Sequence, residues 1–268
     1  GQNDIFQYNY QDRLIINMGY SYNYNSVGGS IINNTIASNS YSIRFNFESA
    51  GNIMYALSKA TNIRKNNDGE YAILGIPYAQ YVKGEFDFSK NIRIDHRNSF
   101  AFHIGMGIAV PYGNAKTIPF EKQYFSGGAN SVRGWTVRDL GPGSFVRDEN
   151  TNLLDQSGDI KLDASIEYRS KLFWKFQGAI FVDAGNIWTI RDYDNQPGGV
   201  FKFDKFYKQI AVAYGLGLRL DLDFFILRFD GGMKAVNPAF ETKQERFPII
   251  HPKFSRDFAF HFAVGYPF

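Results

Sequence analysis

Large apolar residues alternate with small or polar ones along most of this chain, and the alternation is clearest at its end. In DFAFHFAVGYPF, residues 257–268, one parity holds Phe258, Phe260, Phe262, Val264, Tyr266 and Phe268, and the other holds Ala259, His261, Ala263 and Gly265. Successive side chains of a strand point to opposite faces, so this pattern predicts a strand that is greasy on one face and small or polar on the other. The same dyad runs through residues 160–168, where Ile160, Leu162, Ala164, Ile166 and Tyr168 oppose Lys161, Asp163, Ser165 and Glu167. It recurs over 210–222 and again at 14–24, 41–47, 82–88, 100–110, 180–184 and 225–229, about nine strands with the terminal one. Helical periodicity is nearly absent.

A soluble sandwich also alternates, so the character of each face decides the class. Here the apolar face is almost unbroken and carries aromatics toward strand ends: Tyr20, Tyr22, Tyr24, Trp188, Tyr266 and Phe268. The opposite face mixes Gly, Ala and Ser with Arg44, Glu48, Lys83, Glu85, Asp87, Arg228 and Asp230. An apolar band with aromatic girdles outside and a polar lumen inside is what a transmembrane barrel requires. Lipid offers no hydrogen-bond partner to the backbone, so such a sheet must close. The expected class is all-β, a transmembrane antiparallel β-barrel.

Connection lengths agree. RSKLFWK and DLDFF read as tight turns, whereas 111–159, 189–207 and 234–257 are long and polar and fall on the other side. Outer-membrane barrels have short periplasmic turns and long external loops. The stretch SVGGSIINNTIASN, residues 26–39, is long for the side it is assigned to. Nine is an odd strand number, where single-chain bacterial barrels carry an even one. Residues 1–268 therefore read as the C-terminal portion of a larger barrel, with 111–159 a long re-entrant external loop and the strand at 14–24 left as an unpaired edge.

Composition narrows little further. The net charge of +3 is too small to call for a nucleic-acid partner. No cysteine is present, which excludes a disulfide framework, a thiolate metal site and a cysteine nucleophile. No apolar run is long enough for a transmembrane helix. The opening GQNDIFQYNYQDR is polar and mid-pattern, as in a mature or truncated chain.

One stretch departs from the alternation. QYFSGGANSVRGWTVRDLGPGSF, residues 123–145, is glycine-rich and irregular and sets Arg133 between Val132 and Gly134-Trp135. On composition alone Arg133 reads as a solvated loop charge. SVRGW, preceded by FSGGAN and followed by LGPGS, resembles the sixth-loop signature of the BamA/TamA superfamily of outer-membrane assembly barrels. FVDAGNIW, residues 181–188, is similar to that family's Phe-x-Asp-x-Gly strand motif. The aromatic series Phe258, Phe260, Phe262, Tyr266 and Phe268 resembles the C-terminal β-signal of outer-membrane proteins. The longer string PFEKQYFSGGANSVRGWTVRDLGPGS is most similar to the surface-antigen type of Bacteroidota called TamL. The resemblance covers the whole chain and is strongest over 111–268.

It implies a barrel of roughly sixteen strands in the bacterial outer membrane, with periplasmic POTRA domains and the first strands lying outside this chain. It implies a seam between first and last strands, to which 258–268 contributes one side. The family's loop contacts carry over by motif to Arg133, Phe181 and Asp183. Glu167 of SIEYR is a fourth candidate, since it shares the inward parity on the preceding strand. Bidentate pairing with carboxylates and stacking on a ring both suit a guanidinium. Gly134 would let the loop backbone approach, and Gly185 would leave room opposite.

The function this implies is insertion or translocation of polypeptides through a lateral seam, with an arginine-locked lumen loop. No covalent chemistry, nucleotide, metal or cofactor enters, so no enzyme is expected. Partners would be the outer-membrane bilayer, unfolded or nascent outer-membrane proteins, and periplasmic or lipoprotein assembly factors. A two-partner secretion translocator and a passive porin are the alternatives. His96, His103, His251 and His261 have no ligand spacing, and His103 and His261 read as polar lumen lining. Asp87, Asp163, Asp221, Asp223 and Asp230, interleaved with Lys83, Lys161, Arg219 and Arg228, read as balanced lumen charge. The aromatics lie on the lipid face, which argues against a nucleic-acid platform.

Overall fold

The computed structural model describes residues 12–26, 39–146 and 156–268. Among these residues there are eleven strands: β1 (Asn17–Asn25), β2 (Ser40–Ala50), β3 (Ala72–Ile73), β4 (Ile76–Pro77), β5 (Tyr81–Arg93), β6 (Asn98–Pro111), β7 (Ile160–Lys171), β8 (Phe176–Trp188), β9 (Ala211–Asp221), β10 (Ile226–Val236) and β11 (Phe258–Val264). Nine of them form one sheet in the order β1-β2-β5-β6-β7-β8-β9-β10-β11, and β3 with β4 makes a two-residue ribbon. Each neighbouring pair is antiparallel. The nine alternating runs of the sequence are thus nine consecutive strands of an antiparallel meander.

The two faces divide as the alternation requires. On β8, Ile180 and Val182 are exposed on one face while Phe181 and Asp183 are buried on the other. Ile166, Leu216, Leu218, Phe260 and Phe262 join the exposed apolar face, and Glu167, Arg219, Asp230 and His261 the inner one. A band of exposed large apolar side chains is stable against lipid and would be costly against water. No helix among the described residues is long and apolar enough to cross a membrane.

Turns at 94–97, 172–175 and 222–225 are short, and the opposite ends of the strands carry long connections. A fourth long connection, 51–80, was not anticipated. It holds α1 (Asn52–Ala60) and the β3–β4 ribbon, so helical structure is present where the strand alternation gave no sign of it. Strand boundaries also move: the ladder of β1 starts at Asn17 rather than Leu14, which instead bridges to Tyr78. Most of the 26–39 connection lies outside the described residues.

Trp188 departs from the aromatic girdle expected of it. It shares the outward parity of Ile180 and Val182, yet it is fully buried. The connection after β8 folds back over it, setting the rings of Phe201 and Phe206 at 5.6 and 6.3 Å from its own. Its indole Nε1 donates to Gln209 Oε1 at 2.9 Å. A side chain with an apolar body and one donor is satisfied as well by this cover as by the membrane interface.

The 112–159 connection returns onto the inner face. Its base is closed by paired backbone hydrogen bonds between Tyr124 and Gly158, at 2.8 and 2.9 Å. Two apolar clusters seat it. One joins Ile118 and Tyr124 to Ala50, Tyr81, Ala109 and Ile187, and the other joins Val132, Trp135 and Leu140 to Ala211 and Ala213 on β9.

Candidate functional site

The tip of this loop is a turn in which the Trp135 N–H donates to the Val132 carbonyl, and Gly128 N–H to the Trp135 carbonyl. Gly127 makes the turn possible: its φ is +95°, and a Cβ there would stand 2.2 Å from the Thr136 carbonyl oxygen. The turn drives Arg133 into the inner wall, where it is 1% exposed.

Asp183 on β8 takes the guanidinium in a two-point grip, Nε to Oδ2 and Nη2 to Oδ1, both at 2.8 Å. The Arg133 backbone N–H also donates to Asp183 Oδ2 at 3.1 Å. Glu167 on β7 accepts from Nη1 at 2.7 Å. The guanidinium sits over the Phe181 ring, with Cζ 3.4 Å from its centroid. Strand register explains the meeting: Glu167 pairs with Phe181 across β7–β8, and Asp183 sits two residues farther along the same inner face. The structure therefore brings together Arg133, Glu167, Phe181 and Asp183.

The glycines act differently from one another. A Cβ on Gly134 would stand 2.8 Å from that of Ala213, so its bareness does admit the loop backbone. Gly185 does not face the loop. A Cβ there would meet the Leu162 carbonyl oxygen at 2.5 Å, so its small size serves the close approach of β7. Room for the loop comes from Gly232 on β10, where a Cβ would lie 2.0 Å from the Arg133 carbonyl oxygen. Gly215 on β9 leaves space for the Phe181 ring, with a would-be contact of 2.4 Å.

Four further residues join the cluster. Asp230 on β10 approaches Arg133 Nη1 at 3.4 Å, and it also pairs with Arg219 and Arg228 at 3.3 Å each. Arg219 donates to the same Glu167 oxygen as Arg133, at 2.8 Å. Arg228 reaches out to the loop itself, donating to the Ala129 carbonyl at 2.9 Å and to Asn130 Oδ1 at 2.6 Å. His261 on β11 places Nε2 3.0 Å from the Arg133 carbonyl oxygen; a carbonyl only accepts, so Nε2 carries the proton. The sequence placed all four on the inward face but assigned them to charge balance and lining. Register was the missing information, since it sets Arg219 opposite Arg228 and Asp230 opposite His261.

Burial alone would destabilise the Arg133 cation. Asp183 first, then Glu167 and Asp230, outweigh that cost and hold its pKa above the ordinary arginine value. The guanidinium stays charged at any pH a cell meets. For Asp159, where the loop rejoins the sheet, the balance is reversed: burial pushes its pKa up to about 6 against the opposing Ile190 N–H and Arg191.

The other sequence-predicted residues lie apart from this cluster. Phe258, Phe260 and Phe262 follow the outward parity on β11, with Phe260 and Phe262 exposed. Tyr266 and Phe268 do not continue them. β11 ends at Val264, Gly265 takes φ +90°, and the tail crosses to the inner wall. Lumen lining also resolves into pairs: His103 stands between Asp87 at 3.3 Å and Asp163 at 3.4 Å, and Lys161 meets Asp163 at 2.9 Å.

Residues 5–268 match the Omp85 superfamily domain. This chain belongs to the Omp85 superfamily. Its place is the bacterial outer membrane. Among relatives, the outer membrane protein assembly factor BamA of Neisseria meningitidis is 35% identical over 99 residues, which is 34% of this chain and 12% of that protein. Among solved structures, BamA from Haemophilus ducreyi lacking POTRA domains 1–3 superposes with a TM-score of 0.48 at 16% identity, over 94% of this chain and 54% of that one. CdiB from Acinetobacter baumannii gives 0.35 at 13% identity, over 93% and 42%. The chain thus spans about half of the first Omp85-type structure it resembles.

Proposed function

We propose that this chain is the C-terminal part, about nine of roughly sixteen strands, of an outer-membrane barrel that inserts or translocates polypeptides. The observation that carries the reading is the clamp on one loop residue by four strands. Arg133 is held through its side chain from β7, β8 and β10 and through its carbonyl from β11. A passive pore needs an open lumen; here a loop is fixed across the inner face by a dry ion cluster. The loop acts as a lock that keeps the lumen side ordered while chemistry-free work proceeds at the seam.

β11 supports a seam. It has seven residues against 14 in β6. At ~3.3 Å per residue it reaches about 23 Å even untilted, short of the about 30 Å hydrocarbon core. Lipid beside such a strand must thin, and a thinned bilayer with a weakly paired edge lowers the barrier for an incoming strand. Substrates in this reading are unfolded or nascent outer-membrane proteins, with periplasmic or lipoprotein partners delivering them. The TamL branch is the specific identity we favour, on the loop string at 119–144.

The test is depletion of the full-length protein in its host, followed by counting folded outer-membrane barrels by heat-modifiable gel mobility. A broad loss of folded barrels is expected. If every other barrel folds normally and a single exported protein disappears, the protein is a dedicated secretion translocator instead.

A further inference from the structure

Tyr266 and Phe268 leave the lipid-facing parity at Gly265, whose N–H makes a last rung to the Ile226 carbonyl at 2.8 Å. What receives them is built from strands that do not pair with β11. Tyr266 donates its hydroxyl to Gln177 Oε1 on β8 at 3.1 Å. The Arg169 guanidinium on β7 stands 4.5 Å from the Tyr266 ring centroid and 5.4 Å from that of Phe268. Phe268 stacks on His103 of β6, centroids 5.2 Å apart and planes within 15°. Two rings, one hydroxyl, and three matching partners make a defined receptor for an aromatic chain end.

The receptor touches the loop cluster through Arg169. Arg169 Nε donates to Glu167 Oε1 at 2.7 Å, and the other oxygen of that carboxylate takes Arg133. His261 of β11 meanwhile holds the Arg133 carbonyl. The final strand therefore touches Arg133 from two directions: directly through His261, and through the tail rings, Arg169 and Glu167. Tyr266 keeps 39% of its surface exposed, so the docked tail is open to solvent on one side.

We propose that His103, Arg169 and Gln177 form a binding site for an aromatic C-terminal peptide, that this chain's own Tyr266-Pro267-Phe268 is its ligand, and that tail docking and the seating of Arg133 are coupled. The coupling rests on the reading of Arg133 as the residue that holds the loop. Undocking lets water reach Arg169, which weakens its hold on Glu167 and so the seat of Arg133. Linkage makes the effect reciprocal: unseating Arg133 must loosen the tail by the same factor. A freed tail would restore outward parity to the edge strand just where a seam would open.

Phe268→Trp in the full-length protein, reconstituted in phospholipid vesicles, reads the tail directly by difference from the parent's emission. Docked, the new indole is shielded from aqueous iodide and from brominated acyl chains alike. His103→Leu combined with Gln177→Leu is expected to raise iodide quenching several-fold, and Arg133→Ala to do the same from the other end. Should Arg133→Ala not reach the membrane, Asp183→Asn unseats the same arginine. Quenching of the new indole by brominated lipid in the Phe268→Trp protein would place the tail on the lipid face and overturn the site. A rise with the His103/Gln177 pair but none with Arg133→Ala or Asp183→Asn would overturn the coupling. Neither readout depends on whether depletion of the protein affects other barrels, so failure of the assembly reading and failure of the tail site are told apart.

Discussion

The inner wall beneath the loop, from β7 to β10, and the inner wall of β2 and β5 are made from the same alternation and lined with the same kinds of charge. They differ in how closely the loop covers them: its tip is pressed onto the first, while its start, through Ile118, Lys122 and Tyr124, reaches the second and leaves its charges partly open. Beneath the loop, Arg133, Glu167, Asp183, Arg219 and Asp230 are dry. On the other wall, Lys83 pairs with Glu85 at 3.1 Å and Lys122 with Glu48 at 2.7 Å, and those side chains keep between 15 and 32% of their surface. Pair geometry is similar in the two places, but the medium is not. Ions taken out of water interact strongly and are costly to leave alone, whereas pairs in water contribute little. Parity thus chooses which residues face inward, and the loop chooses which of those become a structural cluster.

The sharpest way to break this comparison is to remove the central cation. Arg133→Ala leaves Asp183 buried without its guanidinium and Glu167 with Arg169 and Arg219 alone, and a loss of about 3–5 kcal/mol in barrel stability is expected. A urea midpoint followed by heat-modifiable mobility would read it. An unchanged midpoint would mean that the loop contributes nothing to the fold.

Asp159 probes dryness where burial outweighs the one nearby cation, Arg191. Its folded pKa, about 6, exceeds the ordinary 3.8. The folded state therefore binds the proton more tightly than the unfolded state does. Stability should be fully supported at low pH and fall as pH rises through that window, by at most about 3 kcal/mol. Asp159→Asn should flatten this segment of a stability-against-pH curve, since an amide keeps an acceptor for the Ile190 N–H. A slope that persists in the variant would assign the titration elsewhere.

Volume can break the seat while leaving every charge in place. Gly232→Ala puts a methyl into the Arg133 carbonyl, and either the loop or β10 must shift. Overpacking of this kind costs about 1–3 kcal/mol, and protease cleavage within 112–146 should quicken. Equal cleavage of variant and parent would show that the loop is seated from elsewhere. The smallest effect belongs to the wetter wall: Glu85→Gln should change stability by about 0–1 kcal/mol. A loss as large as that of Arg133→Ala would erase the distinction between the two walls.

Much of the cluster was readable from residues alone. Phe181 and Asp183 share a parity, Glu167 shares it on the preceding strand, and the glycine-rich interruption at 123–145 marks where the alternation gives way. What could not be read is instructive in each case. His261 resembled lining because its partner is a backbone carbonyl 128 residues away. Gly185 and Gly232 are indistinguishable as letters; only the pairing of strands reveals that one faces β7 and the other the loop. Tyr266 and Phe268 continue the period-2 series of β11, but a glycine at positive φ cancels the parity after it.

The sequence by itself determined the nine strands, their two faces and the membrane, because those depend on a period of two and on the solvent each face must meet. Only the tertiary structure decided which charges meet, where the tail lies and that Trp188 is covered. Those depend on register and on the path of long connections, which no local pattern encodes.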